Sequence, residues 1–88
     1  MTRDEFLAEL AREGFQEIVT VTREPNQAMD LHAHPFEAKA LVLDGDLTIR
    51  AGKSQRTYRP GDVFHLATNA PHSETYGPQG VAYLVGRK

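Results

Sequence analysis

Beyond Gly14 the chain is cut at close intervals by turn-forming residues, and that spacing constrains the fold more than any other feature. The cuts fall at Asp44-Gly45, Ala51-Gly52-Lys53, Arg59-Pro60-Gly61-Asp62, Asn69-Ala70-Pro71 and Gly77-Pro78-Gln79-Gly80. Between and before them lie short runs rich in β-branched and aromatic residues: 18–22, 41–43, 47–49, 55–58, 63–66, 72–76 and 81–85. Asp44-Gly45 is well suited to the left-handed positions of a hairpin turn joining 41–43 to 47–49. The pattern predicts seven or eight strands of four to eight residues in an all-β sandwich or small barrel, not an alternation of strands and helices.

One helix precedes the strands. Thr2-Arg3-Asp4-Glu5 has the form of a capping box, Phe6, Leu7, Leu10 and Ala11 recur at helical spacing, and Gly14 stands where a left-handed residue ends the helix. The expected helix covers residues 3–13 and the strands about 15–86, as a single domain over 1–88. So short a helix is marginal in water, so its apolar stripe must lie against the sheet or against a second copy of the chain. Eighty-eight residues supply only a thin core, and the open edges of a small sheet favour a homodimer as the way to cover unpaired backbone.

Composition narrows the chemistry. There is no cysteine, so disulfides, thiolate metal sites and cysteine nucleophiles are excluded, and a metal must be held by His, Asp or Glu. Ten Lys and Arg against twelve Asp and Glu leave a formal charge of −2, with the basic residues scattered, which argues against a nucleic-acid partner. The longest uncharged apolar run, 40–43, is far short of the roughly 20 residues that cross a bilayer. No membrane association and a cytoplasmic location are the expectations.

The four histidines, His32, His34, His65 and His72, all fall in the middle and later part of the chain. In a strand His32 and His34 project from one face, about 7 Å apart along the chain, and can grip one ion if a third ligand arrives from a neighbouring strand. His72, opening a strand after Ala70-Pro71, is the leading third ligand. His65 is weaker, because alternation alone does not decide whether it or Phe64 faces inward. Glu74 shares strand parity with His72 and has three readings: a partner to a ligand nitrogen, a fourth ligand, or a solvated residue at the rim. Tyr58, Tyr76 and Tyr83 read as core-filling residues, and Asp62 as a turn stabiliser.

Two stretches carry a resemblance. His32-Ala33-His34-Pro35-Phe36-Glu37, running into Ala40-Leu41-Val42-Leu43-Asp44-Gly45-Asp46, resembles the first conserved motif of the cupin superfamily. Tyr58-Arg59-Pro60-Gly61-Asp62-Val63-Phe64 through Asn69-Ala70-Pro71-His72 resembles the second. The similarity spans roughly residues 18–86 and implies a small double-stranded β-helix, or jelly-roll, barrel behind the short helix. It further implies that His32, His34 and His72 are the metal ligands. The family pattern places a glutamate ligand seven residues before the glycine that closes the first motif; that glycine is Gly45, and Ala38 stands at the glutamate position. Glu37 is adjacent, and only a bulge after Pro35 would turn it inward.

The resemblance therefore implies a divalent ion, Zn, Fe, Ni or Mn, on three histidines, in a cup lined by Phe36, Ala38, Ala40, Val42 and Phe64. Some cupin dioxygenases use a three-histidine iron centre, so an oxygenase or an isomerase of a small polar molecule is the leading functional expectation. A non-enzymatic ligand- or metal-sensing module and a barrel with a decayed metal site are the alternatives, because the fold hosts many activities.

Overall fold

The computed structural model describes all 88 residues: one helix, α1 (Arg3–Arg12), and six strands, β1 (Glu17–Arg23), β2 (Ala28–His32), β3 (Ala38–Ala51), β4 (Ser54–Tyr58), β5 (Val63–Leu66) and β6 (His72–Arg87). The capping box is formed as expected. The Thr2 hydroxyl accepts from the Glu5 amide at 3.2 Å, and the Glu5 carboxylate accepts from the Thr2 amide at 2.8 Å. The helix stops at Arg12 with Glu13 as its C-cap, one residue earlier than the expected 3–13, and Gly14 follows at φ 84°.

There are six strands, not seven or eight: two pairs of the seven expected runs join into single long strands, and β2, which was not among those runs, adds one. Asp44-Gly45 and 77–80, expected as turns, lie inside β3 and β6, two long strands that pair antiparallel with each other. The chain bends there without reversing. Register slips between Val42 and Asp44 and again between Gly45 and Leu47, so extra residues are absorbed as bulges. Each bulge also switches strand parity. In β3 the buried inward set changes from Ala38, Ala40 and Val42 to Leu47 and Ile49; in β6 it changes from His72, Glu74 and Tyr76 to Val81, Tyr83 and Val85.

The bend needs its glycines. Gly45 has φ 70° and Gly80 φ 71°, and a Cβ on Gly45 would collide with the carbonyl oxygen of Gly80. Backbone meets backbone at the crease, and only glycine fits.

On either side of the crease the sheet has a different set of flanking strands. β1 pairs with 81–87 of β6 while β5 pairs with 38–41 of β3; β2 pairs with 72–75 of β6 while β4 pairs with 47–51 of β3. The two halves face each other across one core that contains Ala40, Val42 and Phe64 from one side and Leu47, Ile49 and Tyr76 from the other. No pairing joins β1 or β2 to β4 or β5, so the hydrogen-bonded ladder is creased but open. The result is a mostly β domain with a short N-terminal helix.

The helix packs on its own sheet. Phe6 and Leu10, both fully buried, lie with Phe15 on Leu41 of β3 and Leu84 of β6, the residues whose side chains point away from the main core. Burying two such side chains is worth about 1.5–3 kcal/mol each. Lys39 secures the same face, donating to Glu9 at 2.6 Å and to Glu13 at 2.9 Å. No helix is long and apolar enough to cross a membrane.

Candidate metal centre

β2 ends at His32, so the His32–His34 pair is not carried by one continuous strand as expected; His34 sits on the extended segment that follows. That segment is tied down by the Asn69 amide, which donates to the His34 carbonyl at 2.7 Å. His72 opens β6 directly opposite His32 in the β2–β6 ladder. The three imidazoles converge: ring centroids of His32 and His72 are 4.2 Å apart, those of His32 and His34 4.9 Å, and the candidate ligand atoms of all three lie within 4.8 Å of one another. His72 is buried, and His32 and His34 are half-buried.

Backbone carbonyls set the tautomers. His32 Nδ1 lies 2.6 Å from the Asp30 carbonyl and His72 Nδ1 2.9 Å from the Ala70 carbonyl. A carbonyl only accepts, so both Nδ1 atoms carry the proton, and in the neutral rings Nε2 is left as a bare lone pair. Both Nε2 atoms are buried and have no hydrogen-bond partner. A buried acceptor without a donor costs about 1–3 kcal/mol, and two of them aimed into one space are what a cation would satisfy. Imidazole nitrogens suit zinc, iron, nickel and copper, so the donor set fits a divalent transition metal.

Glu74 completes the cluster and is the main departure from the rim position weighed from sequence. Its side chain is buried, with Oε2 3.3 Å from His32 Nε2 and 3.4 Å from His72 Nε2. With both rings neutral these contacts bring three acceptors together and are not hydrogen bonds. Tyr76 donates to its other oxygen at 3.4 Å. Burial and the Glu74 charge raise the pKa of Tyr76, and the same two causes push Tyr83 up to about 12. His34 is shifted the other way: burial first, then the neighbouring His32 and His72, hold it below the usual imidazole value. A lowered pKa keeps the ring neutral, the form a metal needs.

Glu37 and His65 stand apart from this cluster. Glu37 turns away and pairs with His65 Nε2 at 2.5 Å, on an exposed part of the surface. Phe64, not His65, is the inward residue of β5. No inward-turning bulge brings Glu37 to the histidines.

Beside His34 opens a cavity of about 80 Å³ whose lining includes Phe36, Ala38 and Phe64. Ala40 and Val42, expected in the lining, lie instead in the packed core. Phe36 stacks on His34 with ring centroids 4.9 Å apart. The lining also includes Arg23 and Arg87, which sequence spacing alone could not assign to the cavity. In the folded sheet Arg23 follows the inward series Val19, Val21, and Arg87 follows Tyr83, Val85.

The comparisons agree with this architecture. A cupin domain family model matches residues 19–76. A protein of unknown function from Rhizobium leguminosarum bv. viciae 3841 is similar at 16% identity and TM-score 0.75, over 80% of this chain and 66% of that one. A cupin-2 domain protein from Shewanella frigidimarina gives 16% identity and TM-score 0.66, over 77% and 65%. An oxalate decarboxylase of Bacillus subtilis gives 18% identity and TM-score 0.73, over 81% of this chain but 20% of that one. This chain therefore spans no more than about two thirds of the length of these three structures. A search of curated proteins returned no match. The matched motifs, the creased β fold and the three convergent histidines together identify the chain as a member of the cupin family.

Proposed function

We propose that this chain is a metal-binding cupin in which His32, His34 and His72 would hold one divalent ion through ring nitrogens, and that it acts on a small polar molecule by proton transfer. The observation that carries the metal reading is the pair of buried, unpartnered Nε2 atoms of His32 and His72, each fixed as an acceptor by a carbonyl on its Nδ1. The creased sheet is taken as the jelly-roll barrel of the family. When bound, the ion supplies Lewis-acid polarisation of an oxygen on the molecule. Glu74, buried beside the histidines, would take up or return the proton, and the Tyr76 hydroxyl steadies its carboxylate. This favours isomerase-type chemistry over oxygenase chemistry, for which no group of the chain speaks separately. The reading also includes a cytoplasmic homodimer, supported by the open outer edges of β1, β2, β4 and β5.

The test is a metal titration of the apo-protein with zinc and manganese. The parent should bind one ion per chain, and His34→Ala should lose at least tenfold in affinity while keeping its β-sheet circular dichroism. Equal affinity in parent and variant would sink the metal assignment. Loaded parent should also exchange a substrate C–H with solvent deuterium across a panel of small hydroxy acids and sugars. Metal binding with no exchange in any of them would leave a binding module without catalysis.

A further inference from the structure

Tyr83 carries a hydroxyl that the rest of the chain does not use. The residue is only 8% exposed, stands in the inward series of β6 between Val81 and Val85, and packs edge-on with Phe64, ring centroids 5.3 Å apart. Tyr76, the other buried tyrosine, donates to Glu74. The Tyr83 hydroxyl has no such partner, yet the polar side-chain atoms sealed away without one are only the His32 and His72 Nε2 atoms. It therefore reaches open space, and the cavity beside His34 is the open space that Tyr83 lines. A tyrosine in a core normally finds a partner for its hydroxyl, and phenylalanine would fill the same volume with no polar atom to satisfy. Burial, then the Glu74 charge, push its pKa up to about 12, so at neutral pH it is an uncharged donor. The rest of the lining decides what can accept. The walls are mostly apolar and include Val21, Phe36, Phe64, Leu66 and Val85. Arg23 and Arg87 stand at opposite ends of the β1–β6 ladder, across from Val81 and Glu17, and make no fork for one anion. The carboxylate of Glu74, on the same lining, disfavours a second one.

We propose that the cavity takes a small neutral carbonyl compound, its oxygen accepting a hydrogen bond from Tyr83 and its carbon frame lying on the apolar walls. Size bounds the class: about 80 Å³ holds roughly six water-sized groups, so the ligand has about six non-hydrogen atoms. Specificity comes from the hydroxyl, because an analogue of the same shape without the oxygen leaves a buried donor unpaired. The proposal rests on the reading of this site as the place of a small polar molecule and names its class, but recognition depends on Tyr83 and not on the ion.

The experiment titrates cyclopentanone and methylenecyclopentane, which differ only in C=O against C=CH₂, into chelator-treated and zinc-treated protein, followed by amide and tyrosine-ring chemical shifts. Tyr83→Phe should lower the ratio of ketone to alkene affinity about fivefold, the worth of one neutral hydrogen bond, while alkene affinity stays within about twofold of the parent. The variant should also melt no lower than the parent, since the hydroxyl makes no contact within the chain; a purely structural tyrosine would lower the melt and leave the ratio alone. In the parent, which carries no folding risk, the Tyr83 ring signals should move further with the ketone than with the alkene. No binding of either probe, equal movement of those signals, or a ratio unchanged in Tyr83→Phe overturns the proposal. A fall in the ratio seen only with zinc present overturns it too, because recognition then depends on the ion. Failure of the parent to bind zinc, with the Tyr83-dependent ratio intact in chelator-treated protein, would overturn the metal reading and leave this one standing.

Discussion

Replacing Glu74 by glutamine should stabilise the metal-free protein and weaken its hold on metal, and the opposite signs follow from one feature. With the His32 and His72 rings neutral and protonated on Nδ1, Glu74 Oε2 and the two Nε2 atoms are three acceptors facing one another at 3.3 and 3.4 Å, with both ring nitrogens unpartnered. An amide of the same shape places an N–H₂ donor where the carboxylate has only lone pairs. Satisfying one buried acceptor recovers about 1–3 kcal/mol. For a domain of this size each 1 kcal/mol moves Tm by about 4–8 °C, so the apo variant should melt several degrees above the apo parent. With metal the balance reverses. Glu74 is a full negative charge within contact of two of the three proposed ligands, and losing such a neighbour costs about 10–100-fold in metal affinity.

The assay is a thermal melt of chelator-treated protein paired with a zinc titration of the same sample. A third signal comes from Tyr83. The Glu74 charge is the second cause, after burial, of its raised pKa, so the variant should titrate that tyrosine below about 12. An apo variant that melts lower than its parent would refute the three-acceptor argument. Unchanged zinc affinity would refute the placement of Glu74 beside the ion.

Other outcomes follow from the same structure. Ligating histidines must be neutral, and the lowered pKa of His34 extends neutrality below the usual 6.5, so bound metal should persist at pH 7.5 and be released progressively below about pH 5, measured by elemental analysis after dialysis. Tyr83 has a folded pKa of about 12 against an unfolded 10, so its contribution is intact below pH 10 and is lost as pH rises from 10 to 12; urea midpoints should show on the order of 2–3 kcal/mol disappearing over that window. Gly86→Ala should cost about 1–3 kcal/mol by overpacking, because a Cβ there meets Leu10 Cδ2 at 2.9 Å and Phe15 Cβ at 3.1 Å, while zinc affinity stays unchanged; a neutral urea midpoint would show that α1 is not seated as described. Light scattering at several concentrations should give about twice 9.8 kDa, and a persistent monomer at micromolar concentration would end the dimer proposal.

What could be read from sequence was whatever depends on local chemistry. The capping box named the helix start, Gly14 its end, and Asp62 its turn, where its carboxylate accepts the Arg59 amide at 2.9 Å. His32, His34 and His72 were legible because histidines with turn-bounded strands around them can be assigned to motifs. The misread elements all depend on partners. Asp44-Gly45 has the chemistry of a hairpin turn, but glycine at positive φ serves a bulge equally well, and only the register between β3 and β6 decides which. Continuation through 77–80 was hidden for the same reason, and with it the parity switch that sends Arg87 inward. Glu74 was placed on the correct side of β6 by its spacing from His72, yet its burial depends on the opposing half of the folded sheet.

The position of the carboxylate has a consequence for the shape of the site. The family pattern looks for glutamate at residue 38, on β3; this chain has alanine there, and the cavity opens beside it. A glutamate side chain at 38 would stand in the same space that Phe36, Phe64 and the two arginines surround. The negative charge near the histidines comes instead from β6, two residues beyond His72 on the same strand face. Moving the acid across the site keeps one compensating charge against a dication and leaves the first-motif side open to a ligand. On the metal reading proposed above, alanine at 38 leaves room where the family pattern has a fixed ligand, and that reading rests on the His32 and His72 nitrogens, which carbonyls orient and which are buried without partners.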